Sequence, residues 1–495
     1  MKRTYALQGH GGLALLCAGV LCIAIWRSAT LSVTCDEACT YNWFLVVPGS
    51  FFNYDANNHL LNTLLIKGVL AVLPATAFAL RLPALFGAAL FLASLFALMK
   101  RLNPGSIGSL LAGGVILLNP LILDFLSLAR GYGPALGLLF AGMACVTAAI
   151  AGERRGEPGG RAWLAASLCL ALCVAASLSF LFVAAGLAVT AVSLCLAASG
   201  EWRPKVLKLS TWFLIPGALT AVLIHIPIFG QLHLGKFYVG HSSAAGTLLE
   251  LWRASFQRES SAVIALRQDP PGGAPWLGTG LTVLLVLFLL VAGRHLAVEF
   301  GALRRRGEGC TEGVCITLLA AGALVVNALC FSVAHAAVGL NYPPDRAALY
   351  VIPLGVLALA GMALSIRGNA KAPGVIAGLV ALALIGAYLG TMELSYFRSW
   401  RYDAGSRRIF DRIIAVSGHR PPDQVKVGGT WWYDASMTFY RLTHGPPGMA
   451  PFMERGHDPA DCDYFIAHPL DLPKLPPAFG KLYEDPVSGA ELYGK

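Results

Sequence analysis

Charge is what this sequence has least of. Only 13% of its 495 residues are Asp, Glu, Lys or Arg, about half the share of an ordinary soluble domain. So few charges cannot cover a water-facing surface of this length, which excludes a soluble globular fold. Acid is scarcer than base, with 27 Asp and Glu against 37 Lys and Arg. A metal-binding cysteine pattern is also missing. Of the 12 cysteines, most stand singly in apolar stretches (Cys17, Cys22, Cys145, Cys169, Cys173, Cys195, Cys330), where a thiol is a small apolar filler. Cys35 and Cys39 flank an acidic pair, and a disulfide between them is the lesser expectation. No internal repeat is visible, and the apolar runs hold almost no ionisable residue. Both absences weigh against a secondary transporter or lipid flippase, which sets charge near the midplane between repeats.

What is abundant is apolar, 56% of the chain. Windows long enough to cross a bilayer fall at 11–31, 80–99, 105–122, 132–151, 162–179, 181–199, 209–229, 276–293, 313–335, 348–366 and 372–392, about eleven spans. The first resembles a signal peptide but reads better as an uncleaved helix. The apolar stretch 60–77 holds Lys67 in its middle. Counted as an interfacial helix, it leaves Lys2-Arg3, Lys100-Arg101, Arg154-Arg155, Arg203 with Lys205 and Lys208, Arg304–Arg306, and Arg367 with Lys371 in loops of one side. Short basic loops stay cytoplasmic, so the amino terminus is expected inside and the carboxyl terminus outside. The +10 net charge is thus a topology determinant, with no nucleic acid needed to explain it. The expected fold is an all-α polytopic membrane domain over 1–392, followed by a small outer α/β domain over 393–495. In that tail Arg407–Val416 reads as an amphipathic helix, and Gln424–Gly428, Tyr464–Ala467 and Glu491–Tyr493 as strands. Trp431-Trp432-Tyr433 reads as an aromatic anchor or a sugar-stacking platform.

This topology places the chemistry outside, in the loops 32–79, 119–131, 230–275 and 336–347. The first carries Asp36-Glu37 directly after a span, with Tyr41, Asp55 and Asn58-His59 beyond. A carboxylate next to hydrocarbon loses water and becomes a stronger base. The other reading of the pair is salt bridges to Arg27 and Arg81. The second loop sets Asp124 before Arg130 and Tyr132, either an anion site or a structural Asp–Arg pair. The last reads Tyr342-Pro343-Pro344-Asp345-Arg346 and places Arg346 where a helix begins, a position already favourable to anions.

In this order the motifs resemble the GT-C superfamily of integral-membrane glycosyltransferases, and within it the aminoarabinose transferase and protein O-mannosyltransferase branch. The likeness is carried by Asp36-Glu37, Asn58-His59-Leu60-Leu61-Asn62, Arg81-Leu82-Pro83-Ala84-Leu85, Asn119-Pro120 and Ala129-Arg130-Gly131-Tyr132. It covers about the first 200 residues, and the rest by topology. Two departures stand out. Asn58-His59-Leu60-Leu61 replaces the Lys-Pro-Pro-Leu run of such enzymes, and Asp124 precedes its arginine. The resemblance implies transfer of a sugar from a polyprenyl-phosphate donor to a glycolipid, glycan or protein at the outer face of the membrane. The alanine- and glycine-rich chain with short loops reads as bacterial, so that membrane is expected to be a bacterial inner membrane. It casts Asp36, with Glu37, as the catalytic carboxylate. Arg130, Arg346, His59 and Lys67 would then face the donor phosphate, and Tyr41, Asp55, Asn58, Asp124, Tyr132 and Tyr342 the substrates. An ordinary carboxylate base is expected. A divalent metal held by Asp36, Glu37 and Asp124 is the minority alternative.

Overall fold

The computed structural model describes residues 10–53, 55, 58–197, 201–231, 240–256, 275–306, 311–365, 372–418, 420–453 and 457–495. Among them, nine helices are long and apolar enough to cross a membrane: Gly11–Thr30, Ala77–Leu102, Tyr132–Arg154, Leu178–Ala197, Trp202–Gln231, Thr282–Leu303, Glu312–Val338, Asp345–Ser365 and Gly374–Thr391. The two remaining sequence windows fall on shorter apolar helices, Gly105–Leu117 and Gly160–Ala176. The 60–77 stretch forms Leu60–Leu70, 11 residues, or roughly 16 Å. That is too short to span. The predicted loop 230–275 is described at 230–231, 240–256 and 275, and forms the helix Ala244–Phe256.

The spans sort into inner and outer. Tyr132–Arg154 is the most enclosed, whereas Trp202–Gln231, Thr282–Leu303 and Gly374–Thr391 leave most of their apolar side chains uncovered, as lipid-facing helices do. Ala77–Leu102 and Tyr132–Arg154 cross so closely that a Cβ on Gly87 would lie 2.6 Å from the Pro134 backbone. Only small residues allow that approach. The basic loops meet at one end, where Arg101 and Arg155 both reach Glu312 (3.8 and 3.9 Å) and Lys208 reaches Glu153 (2.7 Å). Arg130 lies beyond the opposite end of Tyr132–Arg154, about 35 Å away along that helix.

At Arg130's end sits the chain's tail. It carries β1 (Val427–Gly429), β2 (Tyr464–Ala467), β3 (Gly480–Glu484) and β4 (Glu491–Gly494) in the order β1-β2-β4-β3. β1 and β2 are parallel, and the other pairs antiparallel. Two helices lie with the sheet. Ser406–Ser417 buries Ile409, Phe410 and Ile413. Trp431–Thr443 buries Trp432, Ala435, Ser436, Phe439 and Tyr440, a 3.6-residue stripe. Trp432 is therefore core, with its indole nitrogen donating to Asp471 at 3.1 Å, while Trp431 remains exposed.

Candidate functional site

The first span ends at Thr30, and the chain re-enters a helix at Cys35–Cys39. The start of this short helix is a capping box. Thr34 Oγ1 accepts from the Glu37 backbone N–H, and Glu37 Oε2 accepts from that of Thr34 at 3.0 Å. The Thr-x-x-Glu spacing dictates this. Glu37 also takes both prongs of the Arg81 guanidinium at 2.7 and 2.8 Å, and the Ala129 N–H at 2.7 Å. It is 1% exposed. All its acceptor capacity is spent on holding the loop to the second span.

Asp36 is held differently. Its side chain is 16% exposed, with Oδ2 3.5 Å from Arg130 Nη2 and 3.9 Å from Arg346 Nη2. That oxygen is buried and accepts no hydrogen bond from the described residues. The two adjacent acids thus divide, one fully tied and one offered between two cations.

Arg130 follows the helix Pro120–Phe125, whose first turn Asn119 caps by accepting from the Leu121 and Ile122 N–H groups. Asn-Pro is a strong helix start for this reason. Arg130 is 1% exposed, and its Nη1 donates to the Asp36 carbonyl at 3.4 Å. Arg346 stands over the Trp400 ring at 5.6 Å and hydrogen-bonds Tyr132. His59, the residue before Leu60–Leu70, sets its ring edge-on to Tyr132 with centroids 4.7 Å apart. Asp36, Arg130, Arg346, Tyr132 and His59 therefore converge.

The other predicted residues lie elsewhere in the contact network. Asp124 does not pair with Arg130. It binds Arg27 at 2.6 Å and accepts from the Arg398 N–H at 3.1 Å, all buried. Asn58 is consumed by its own loop, donating to the Phe51 and Asn53 carbonyls and accepting from Thr63. The Asp55 carbonyl accepts from the Asn58 N–H. Tyr41 packs edge-on against Phe439 of the tail at 5.2 Å. Tyr342 donates to Ser332 at 3.3 Å and pairs backbone-to-backbone with His241. Lys67 is exposed above the Phe51 ring, about 12 Å along its helix from His59. Cys35 and Cys39 are both free thiols. Glu37 and Asp124 are each committed to a guanidinium, so the trio proposed for a metal is not assembled. Among the described residues no group of three or more His, Cys, Asp or Glu converges on one point.

The tail supplies contacts that sequence reasoning missed. Besides Trp400 under Arg346, the Val33 N–H donates to the Tyr440 hydroxyl at 2.8 Å and Asn42 Nδ2 to the Ala435 carbonyl at 2.9 Å. Asp403 accepts from the Cys35 N–H at 2.6 Å and from the Ser406 and Ser436 hydroxyls. Among the described residues no cation pairs with this buried carboxylate, and burial pushes its pKa up to about 7 against these three donors. A raised acid binds its proton in the folded state first. Its contribution to stability is therefore full below pH ~4 and lost as pH rises to about 7. Thermal unfolding at pH 5 and pH 8 is expected to show the wild type losing on the order of 2–4 kcal/mol over this window. Asp403→Asn should flatten that slope, and an unchanged slope would remove Asp403 as its source.

No protein-family model and no curated protein matches the chain. Among solved structures, apo ArnT from Cupriavidus metallidurans is similar at 14% identity and a TM-score of 0.48, over 98% of this chain and 97% of that one. The same protein bound to undecaprenyl phosphate gives 14% and 0.45, over 98% of both chains. The oligosaccharyltransferase of Archaeoglobus fulgidus gives 13% and 0.45, over 89% of this chain and 64% of that one. With identities this low, function has to come from the side chains themselves.

Proposed function

We propose that this chain is a GT-C-type integral-membrane glycosyltransferase. It moves a sugar from a polyprenyl-phosphate donor to a glycolipid, glycan or protein acceptor at the outer membrane face, with inversion and with Asp36 as general base. The observation that carries this is the buried, unbonded Oδ2 of Asp36 between two guanidinium groups, at one end of a bundle of apolar spans. A polyprenyl chain lies in the bilayer and sets its phosphate at the headgroup level, where Arg130 and Arg346 wait.

Each group then has one task. The donor phosphate binds the two arginines, whose planar forks match its oxygens. It thereby takes over from Asp36 as their counter-ion and leaves the carboxylate free to accept a proton. The acceptor hydroxyl gives its proton to Asp36 Oδ2, and its oxygen bonds the anomeric carbon from the face opposite the phosphate. The bond from that carbon to the phosphate oxygen breaks, and its electron pair leaves with the polyprenyl phosphate. The arginines stabilise the charge that grows on that oxygen.

Arg346→Lys keeps the charge and loses the fork. It is expected to lower kcat/KM for the donor by about 10–100-fold, with KM for the acceptor unchanged. Equal kcat/KM in steady-state assays would remove Arg346 from donor binding. The reading as a whole is tested by incubating purified protein with a panel of polyprenyl-phosphate sugars, with and without a chelator. Transfer from one donor, insensitive to chelation, is expected. No transfer from any donor, with the lipid instead moved across liposomes, would replace the enzyme by a flippase.

A further inference from the structure

Like Tyr132, His59 belongs to the converged group but has no part in the transfer step above. It is 7% exposed and lies close enough to Arg130 and Arg346 for both to act on its ring. The ring bonds the Ala176 carbonyl, while Nε2 is buried and has no hydrogen-bond partner among the described residues. A carbonyl only accepts, so the nitrogen bound to it, Nδ1, carries the proton. Gly131 makes the arrangement possible. A Cβ there would run into the Ala176 carbonyl oxygen and lie 2.7 Å from His59 Cβ and Cγ.

Burial, and after it Arg130 and Arg346, hold the imidazole well below its usual pKa. The ring is therefore neutral, and Nε2 presents a lone pair. A lone pair repels a phosphate oxygen and needs an O–H or N–H donor. The phosphate is already matched by two guanidinium groups, and the part of the donor molecule that carries O–H groups is its sugar. We propose that His59 Nε2 accepts a hydrogen bond from one hydroxyl of the donor sugar and so helps to determine which sugar is transferred. This deepens the glycosyltransferase reading and rests on it. It also moves His59 from the phosphate to the sugar.

The test uses the polyprenyl-phosphate sugar that the wild type turns over, its monodeoxy analogues, and sugar-free polyprenyl phosphate as a competitive inhibitor. His59→Asn keeps an amide near Nδ1 to bond Ala176 but has nothing at Nε2. His59→Gln places an amide oxygen near Nε2. The wild type is expected to reject one monodeoxy analogue by about 10–100-fold in kcat/KM. His59→Asn should lose that discrimination, His59→Gln should regain part of it, and inhibition by sugar-free polyprenyl phosphate should be the same in all three. Discrimination retained in His59→Asn, or inhibition weakened in step with donor binding, would overturn the inference and leave the transferase intact. A wild type that turns over no donor would overturn both.

Discussion

Asp36→Asn is expected to slow sugar transfer by about 10²–10⁴-fold, the usual worth of a general base, without lowering folded yield or melting temperature. The stability half of this follows from how little Asp36 holds. Its two ion pairs are long, at 3.5 and 3.9 Å, and its Oδ2 takes no hydrogen bond from the described residues. The Asp36 carbonyl, which does accept from Arg130, survives the substitution. Binding should separate from catalysis in the same variant. If the donor phosphate competes with Asp36 for Arg130 and Arg346, removing the carboxylate frees both guanidinium groups. Asp36→Asn should then bind sugar-free polyprenyl phosphate at least as tightly as wild type while turning over slowly. Isothermal titration beside single-turnover transfer measures the two. Near-normal turnover would sink the base assignment, and weakened phosphate binding would sink the exchange of counter-ions.

Much of the architecture is legible from hydropathy, because a bilayer demands long apolar helices whatever their packing. The windows at 105–122 and 162–179 show the limit of that signal, for their helices have 13 and 17 residues. In the tail, β3 escapes sequence reading because Gly480–Glu484 is almost wholly exposed along an edge and offers no alternation. Trp431–Thr443 was readable. Its buried residues recur at helical spacing, but the Trp-Trp-Tyr run draws attention to its surface. The site splits in the same way. Asp36, Arg130 and Arg346 stand out as charges beside apolar runs, and Thr34-x-x-Glu37 states a capping box outright. Asp124 is a different case. Its partners Arg27 and Arg398 lie 97 and 274 positions away, and no local pattern announces a pair that only the closed fold brings together. Trp400 and Asp403 are hidden for the same reason.

Arg81→Ala should do the opposite of Asp36→Asn and fail at folding. Arg81 has 0% exposure and serves Glu37 with two prongs. Its remaining donor contacts go to the carbonyls of Ser28, Leu31 and Ser32. These five contacts bind the end of the first span, the loop and the second span into one corner. Without Arg81, Glu37 becomes a buried carboxylate with no cation, and three carbonyls lose their donor. Breaking one side of a buried pair costs about 3–5 kcal/mol, a large part of a typical folding free energy. A melting temperature lower by several degrees and a reduced monodisperse yield in detergent are therefore expected. Glu37→Gln separates position from chemistry. It keeps one acceptor for Arg81 and the capping geometry, so it should lose stability less than Arg81→Ala. Whatever protein folds should retain transfer within about 10-fold, below the loss assigned to a general base. If Glu37→Gln instead folds normally and loses transfer as fully as Asp36→Asn, the two acids share the base, and their division into one held and one offered is wrong.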